Sequence, residues 1–285
     1  MNIKSITAYF YLLRLHKPIG ILLLWYPTAC ALWIANQGRP PFLLVLYFFL
    51  GTFIMRSAGC LVNDIADRHI DPHVARTKTR PLATGQIRLE HAFVILIALI
   101  FMGFAILLTL PKACFVYALL SIGITVIYPF CKRFFQAPQL ILGIAFSMGI
   151  PMAYAASSQT LNISAILLLG LNFCWIMAYD TIYALGDMPD DLEINIKSTA
   201  IFFGHQVNNI ILAFQALTQS MWLMLAYHLK FNAVFYLAWI VSCLLLSQQQ
   251  LIIRKPEPDY LKTFTSNSYY GLVLWIAVMI CSYSL

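Results

Sequence analysis

"FFQAPQLILGIAFSMGIPMAYAASSQTLNISAILLLGLNFCWIMAY", residues 134–179, contains no Asp, Glu, Lys or Arg. A helix needs about 20 apolar residues to cross the hydrocarbon core of a bilayer, so this run is too long for one crossing and long enough for two. Ser157, Ser158, Gln159, Thr160 and Asn162 interrupt it with a polar turn. Hydrocarbon offers the backbone no hydrogen bonds, and among open-ended elements only the helix satisfies its own. The stretch therefore reads as two membrane helices.

The rest of the chain follows the same pattern. It is 61% hydrophobic, 14% aromatic and 10% charged, with a mean hydropathy of +0.79. Breaking it at charges and turn residues predicts nine spans, at 19–36, 41–62, 91–110, 113–130, 138–156, 162–180, 207–228, 231–252 and 268–284. The expected fold is all-α, a polytopic membrane bundle forming one domain over residues 1–285. Residues 5–15 read as a short interfacial helix leading into Lys17 and Pro18. The seven cysteines show no metal-ligand spacing and read as small buried hydrophobes.

With a cytoplasmic N-terminus, fourteen of the eighteen Lys/Arg fall on the cytoplasmic side, and Arg39, Lys112 and Lys230 lie opposite. That bias predicts the orientation. The net charge of +7 then reflects topology and anionic lipid, not nucleic acid. No Arg/Ser-rich transit segment precedes the first span, so the expected membrane is a bacterial inner membrane.

All eleven Asp/Glu also lie on or next to the cytoplasmic face, which the orientation rule does not require. Most fall in two clusters. In "NDIADRHID", residues 63–71, Asn63, Asp67 and Asp71 recur every fourth residue with Asp64 beside them, so a helix continuing past the second span would gather them on one face. In "YDTIYALGDMPDDLEINIKSTA", residues 179–200, Asp180, Asp187 and Asp191 form a second stripe, with Tyr183 one turn before Asp187 and Asp190 adjacent to Asp191. Like charges at this spacing repel unless a cation sits between them, which points to a divalent metal. Mg²⁺ takes one or two carboxylates together with phosphate oxygens and water. Lys78, Arg80 and Lys197 follow the two clusters as donors to those oxygens, so the expected ligand is a diphosphate. A glycine-rich phosphate loop and the HExxH pattern are both absent from the sequence.

These motifs, with "RTKTRPLATG" at 76–85, "RLHKPIGILLLWYPT" at 14–28, "IKSTA" at 196–200 and "PQLILGIAFSMGIPMAYAA" at 138–156, resemble the UbiA family of intramembrane aromatic prenyltransferases. Within that family the similarity is greatest to the members that prenylate 4-hydroxybenzoate in ubiquinone biosynthesis. The resemblance implies nine helices around a central cavity. It also implies Mg²⁺ held by Asn63, Asp64, Asp67, Asp71, Asp187 and Asp191, and a long polyprenyl diphosphate whose group is transferred ortho to the acceptor hydroxyl. Pro189 would break the helix inside the second motif and separate Asp190 and Asp191 from Asp187.

A benzoate acceptor brings a carboxylate that needs its own cation. Arg68 or Arg133 is expected to hold it, with Arg56 a third candidate inside the second span, where a charge costs at least about 2.5 kcal/mol. Tyr183 could order the acids or face a cation. Competing expectations are a relative with another acceptor, such as haem or a menaquinone precursor, and a polytopic transporter. A transporter more often keeps its charges at the bilayer midplane.

Overall fold

The computed structural model describes residues 3–283, and among them every regular element is helical. The helices are α1 (Ile3–Leu12), α2 (Ile19–Ala35), α3 (Phe42–Ala66), α4 (Leu89–Leu107), α5 (Ala113–Cys131), α6 (Pro138–Ser147), α7 (Gly149–Ala156), α8 (Ile163–Glu193), α9 (Thr199–Phe203), α10 (Val207–His228), α11 (Ala233–Ile253) and α12 (Tyr260–Ser282). Eight segments are long and apolar enough to cross a membrane, and α2 is a shorter apolar helix, so the nine expected spans are present and the protein is an integral membrane protein. The short helix α1 precedes the first span, with Ile6, Phe10 and Tyr11 exposed and Ala8 and Leu12 packed inward.

The run 134–179 folds as read. α6 and α7 make one span interrupted at Met148, where Pro151 cannot donate to the carbonyl one turn earlier. The polar turn follows, and Asn162 caps α8 by accepting from the Ala165 amide at 3.1 Å.

α8 is the central element. It packs against α6, α10 and α12, and its inward face is buried along most of its length. At 31 residues it is roughly 46 Å long, against a hydrocarbon core of about 30 Å. It also runs unbroken through Pro189, which corrects the expected break. The ring sits on the exposed side near the helix end, and Asp187 and Asp191 stay one turn apart on the same helix.

Several polar side chains inside the bundle are paired across helices, as low-dielectric surroundings favour. Trp175 donates to Asn267 at 2.9 Å and Asn172 to Ser147 at 3.0 Å. Gln215 donates to Gln249 at 2.9 Å and accepts from Gln250 at 2.9 Å, and Gln249 donates onward to Ser266. By contrast α4 and α5 turn large apolar side chains outward, among them Phe101 and Leu119, as lipid-facing helices do.

Candidate active site

The C-terminal ends of α3 and α8 emerge at one end of the bundle, with α5 and α6 packed side by side between them. Here the two acidic motifs meet over one polar pocket. Asn63, Asp67 and Asp71 line it from the first motif and Asp180, Tyr183, Asp187 and Asp191 from the second. Lys132, Arg76, Arg80 and Lys197 complete the wall.

The first motif does not continue the helix. α3 ends at Ala66, Asp67 is its C-cap and Asp71 opens a short 3₁₀ turn. The Asp67 amide still donates to the Asn63 carbonyl at 2.9 Å and the Asp71 amide to the Asp67 carbonyl at 2.8 Å, so the four-residue spacing keeps these side chains on one side.

Each buried acid of the first motif has a cation. Arg14 grips Asp64 through both carboxylate oxygens, at 2.7 and 2.9 Å. Arg80 bridges Asp64 at 3.1 Å and Asp71 at 2.9 Å. Lys132 lies 3.7 Å from Asp67 and donates to Asn63 at 3.3 Å. In the second motif Arg76 forms a two-point fork on Asp187, at 2.8 and 2.6 Å, and stacks 4.6 Å over the Tyr183 ring. Asp190 accepts from the Ala75 amide at 2.8 Å, which pins the loop carrying Arg76. The Lys197 amide donates to the Lys132 carbonyl at 2.9 Å, joining the loops after α8 and α5. The Asp191 side chain lines the pocket without a hydrogen bond or ion pair to any described residue.

Burial pushes the Asp67 carboxyl up, and Lys132 acts against that shift. Arg80 is held above its ordinary value by Asp64 and Asp71 despite burial, and Arg76 likewise by its bond to Asp187. Lys17, in the turn between α1 and α2, is lowered by burial and then by Arg76, Arg14 and Arg80, a measure of how much positive charge converges here.

Five of the expected residues lie outside the pocket lining. Asp64 is 1% exposed and pairs with Arg14 and Arg80. Lys78 is exposed and outside the pocket lining. Arg68 donates to the Ile65 carbonyl at 3.1 Å and Arg133 to the Ala66 carbonyl at 3.0 Å, so both guanidinium groups are turned to the free carbonyls ending α3. Arg56 remains inside the bundle. It is two turns before Asp64 on α3, stacks 5.5 Å from the Phe146 ring, and makes no ion pair or hydrogen bond with any described residue. It fills the space a Cβ at Gly20 would need.

A model for the UbiA prenyltransferase family matches residues 24–279. The chain belongs to this family. A UbiA-family relative from Legionella pneumophila (strain Lens), called 4-hydroxybenzoate octaprenyltransferase, is 53% identical over 95% of this chain and 97% of its own. Another of the same name from Serratia proteamaculans is 42% identical over 98% and 96%. Among solved UbiA folds, the apo homologue from Aeropyrum pernix K1 superposes with a TM-score of 0.78 at 21% identity, covering 90% of this chain and 97% of that one. An Archaeoglobus fulgidus homologue bound to GPP and Mg²⁺ gives 0.72 at 18% identity, covering 98% and 100%.

The donors present suit a divalent metal of the hard, oxygen-loving kind. They are carboxylates and the amide oxygens of Asn63 and Gln139, with no histidine or thiol on the pocket wall. Among the described residues no three acids stand close enough to chelate an ion by themselves, which suits a metal that shares its shell with phosphate oxygens and water. Arg76, Arg80 and Lys132 pair with Asp187, Asp71 and Asp67.

Arg14, Arg76 and Lys132 escaped the sequence reading as site residues, whereas Asp180 was read only as part of the second acidic stripe. Arg14 and Arg76 reach their partners across 50 and 111 residues of chain, a distance over which helical periodicity carries no signal.

Proposed function

We propose that this chain transfers a long polyprenyl group from its diphosphate to the ring carbon ortho to the hydroxyl of 4-hydroxybenzoate, releasing diphosphate. The reaction would take place at the cytoplasmic face of a bacterial inner membrane, with the N-terminus on the same side and Mg²⁺ as the metal. The observation that carries this reading is the single pocket on which both acidic motifs and three of their cations converge. The similarity to curated octaprenyltransferases supports the acceptor and donor classes. A pocket at one end of the bundle, not at its midplane, disfavours transport.

Asn63, Asp67, Asp71, Asp187 and Asp191 would hold Mg²⁺, which when bound supplies positive charge to the leaving diphosphate. Arg76, Arg80, Lys132 and Lys197 would donate to the remaining diphosphate oxygens, and their charges stabilise the departing group as the allylic carbon–oxygen bond breaks. Asp64 and Arg14 serve by holding Arg80 in place. The rings of Tyr128 and Tyr183 line the pocket, where they exclude water and face the developing allylic cation. Arg56, the intramembrane guanidinium without an anion, would take the acceptor carboxylate.

The test is prenyl transfer to radiolabelled 4-hydroxybenzoate by membranes given a long-chain prenyl diphosphate, with Mg²⁺ or EDTA. Lipid-soluble product that needs the metal and is lost in Asp67→Ala and Asp187→Ala supports the reading. Product formed only with other phenols would replace the acceptor, and no transfer to any phenol in a folded preparation would remove the reading.

A further inference from the structure

Each acidic motif has one charged residue set deeper in the bundle. Arg56 lies eight residues before Asp64 on α3, and Asp180 lies seven residues before Asp187 on α8. At about 1.5 Å of rise per residue these backbone positions are roughly 12 Å below Asp64 and 10 Å below Asp187. Both helices run the same way, so one anion and one cation reach similar depth, Asp180 on the pocket wall and Arg56 beside Phe146 and Gly20.

Asp180 lines the pocket, yet forms no hydrogen bond or ion pair with any described residue. Its charge is felt by Arg56 without an ion pair forming between them. The charged groups around it are Arg56 on α3, Lys132 after α5, Arg76 on the loop and Asp187 on its own helix, with Tyr128 facing it from α5. An enclosed carboxylate without a partner is costly to keep, and the diphosphate site already described uses the shallower acids.

We infer that Asp180 accepts the proton of the acceptor's ring hydroxyl and so activates the ring for attack. This rests on the proposed function, since a hydroxybenzoate carries an anion and a hydroxyl donor on opposite ends of a ring, matching one cation and one acceptor at the same depth. The oxygen–hydrogen pair of the hydroxyl is left on oxygen as the proton moves to Asp180. The ring's ortho carbon bonds to the allylic carbon, while the allylic carbon–oxygen pair leaves with diphosphate. The ortho ring proton then passes to a diphosphate oxygen, and Asp180 returns its proton to the ring oxygen. The sum is prenylated phenol, diphosphate and one proton.

The experiment uses the full chain in lipid nanodiscs with Mg²⁺ and saturating prenyl diphosphate. Asp180→Asn keeps a hydrogen-bond acceptor of the same shape and loses the base. Its kcat is expected to fall about 100-fold or more at neutral pH, with KM for 4-hydroxybenzoate and equilibrium binding of the prenyl diphosphate within about 3-fold of wild type. The variant's rate should rise about tenfold per pH unit as the substrate hydroxyl ionises. A more acidic phenol, 3-fluoro-4-hydroxybenzoate, should recover more activity in the variant than in wild type. Near-normal kcat overturns the inference, as does a loss that ignores pH and phenol acidity, which marks a structural role. Weakened diphosphate binding moves Asp180 to the metal site instead. Failure of wild type itself on 4-hydroxybenzoate removes the acceptor reading and this inference with it, whereas a defect confined to the variant concerns Asp180 alone.

Discussion

Arg76 and Asp187 stand 111 residues apart in sequence and meet through two parallel hydrogen bonds, Nε to Oδ1 at 2.8 Å and Nη2 to Oδ2 at 2.6 Å. One end belongs to the loop after α3 and the other to α8, so the fork ties the two acidic motifs into one wall. Lysine would keep the charge but not the planar two-point contact. Arg76→Lys is expected to raise KM for the prenyl diphosphate about tenfold and Arg76→Ala about a hundredfold, with KM for the acceptor unchanged. Initial rates over both substrate concentrations decide it, and equal effects on both substrates would place Arg76 elsewhere.

Arg56 makes the opposite separation. Arg56→Ala should raise KM for 4-hydroxybenzoate at least about thirtyfold, the loss of one charge-assisted pair, and leave prenyl diphosphate dependence alone. Gly20→Ala should act in the same direction, because the added methyl would occupy the guanidinium's place. Arg68→Ala and Arg133→Ala should stay within about threefold of wild type, since both side chains serve carbonyls at the end of α3. Steady-state kinetics of the four variants test the assignment, and an acceptor defect in Arg133→Ala with none in Arg56→Ala would reverse it.

Metal removal should cost activity and not the fold. EDTA is expected to abolish transfer and Mg²⁺ to restore it, while the unfolding midpoint of the substrate-free protein shifts by less than about 2 °C. Asp64 and Asp71 are already compensated by Arg14 and Arg80, and Asp187 by Arg76, so folding does not wait for the ion as it does where metal binding supplies the folding energy. A large drop in midpoint on chelation would show that the arginines do not stand in for the metal.

The glutamine chain of α10 and α11 is a stability element remote from the pocket. Gln215→Ala strips partners from both Gln249 and Gln250 and should destabilise the protein by about 1 kcal/mol, the scale of interhelical hydrogen bonds in membranes. Activity at low temperature should change little. Thermal unfolding in detergent alongside transfer assays reads both, and an unchanged midpoint would mean that the two glutamines find other partners.

How far the sequence reached depends on the range of the physics involved. Span count and the two acidic ends follow from where charges stop and where four-residue spacing starts, both of which are local. The run 134–179 divides where Ser157 and Asn162 lie, because a polar turn cannot sit in hydrocarbon. Pro189 misled, since a proline near an exposed helix end gives up a single bond and bends nothing that the core must keep straight. The pairing of Asp64 was illegible for a different reason. Its neighbours in sequence face the pocket, and only the return of α1's end to α3 reveals that Arg14 has claimed it. Arg68 and Arg133 looked like ligand cations because the sequence does not show which backbone carbonyls a helix end leaves free.

The length of α8 has one more consequence. A rod roughly 46 Å long, anchored in an oily layer about 30 Å thick, carries its acids past the edge of that layer while its lower turns stay inside. A molecule with a charged head and a greasy tail is thereby sorted by height alone. The head climbs to the acids, the tail remains among lipids, and neither end must cross into a medium that rejects it.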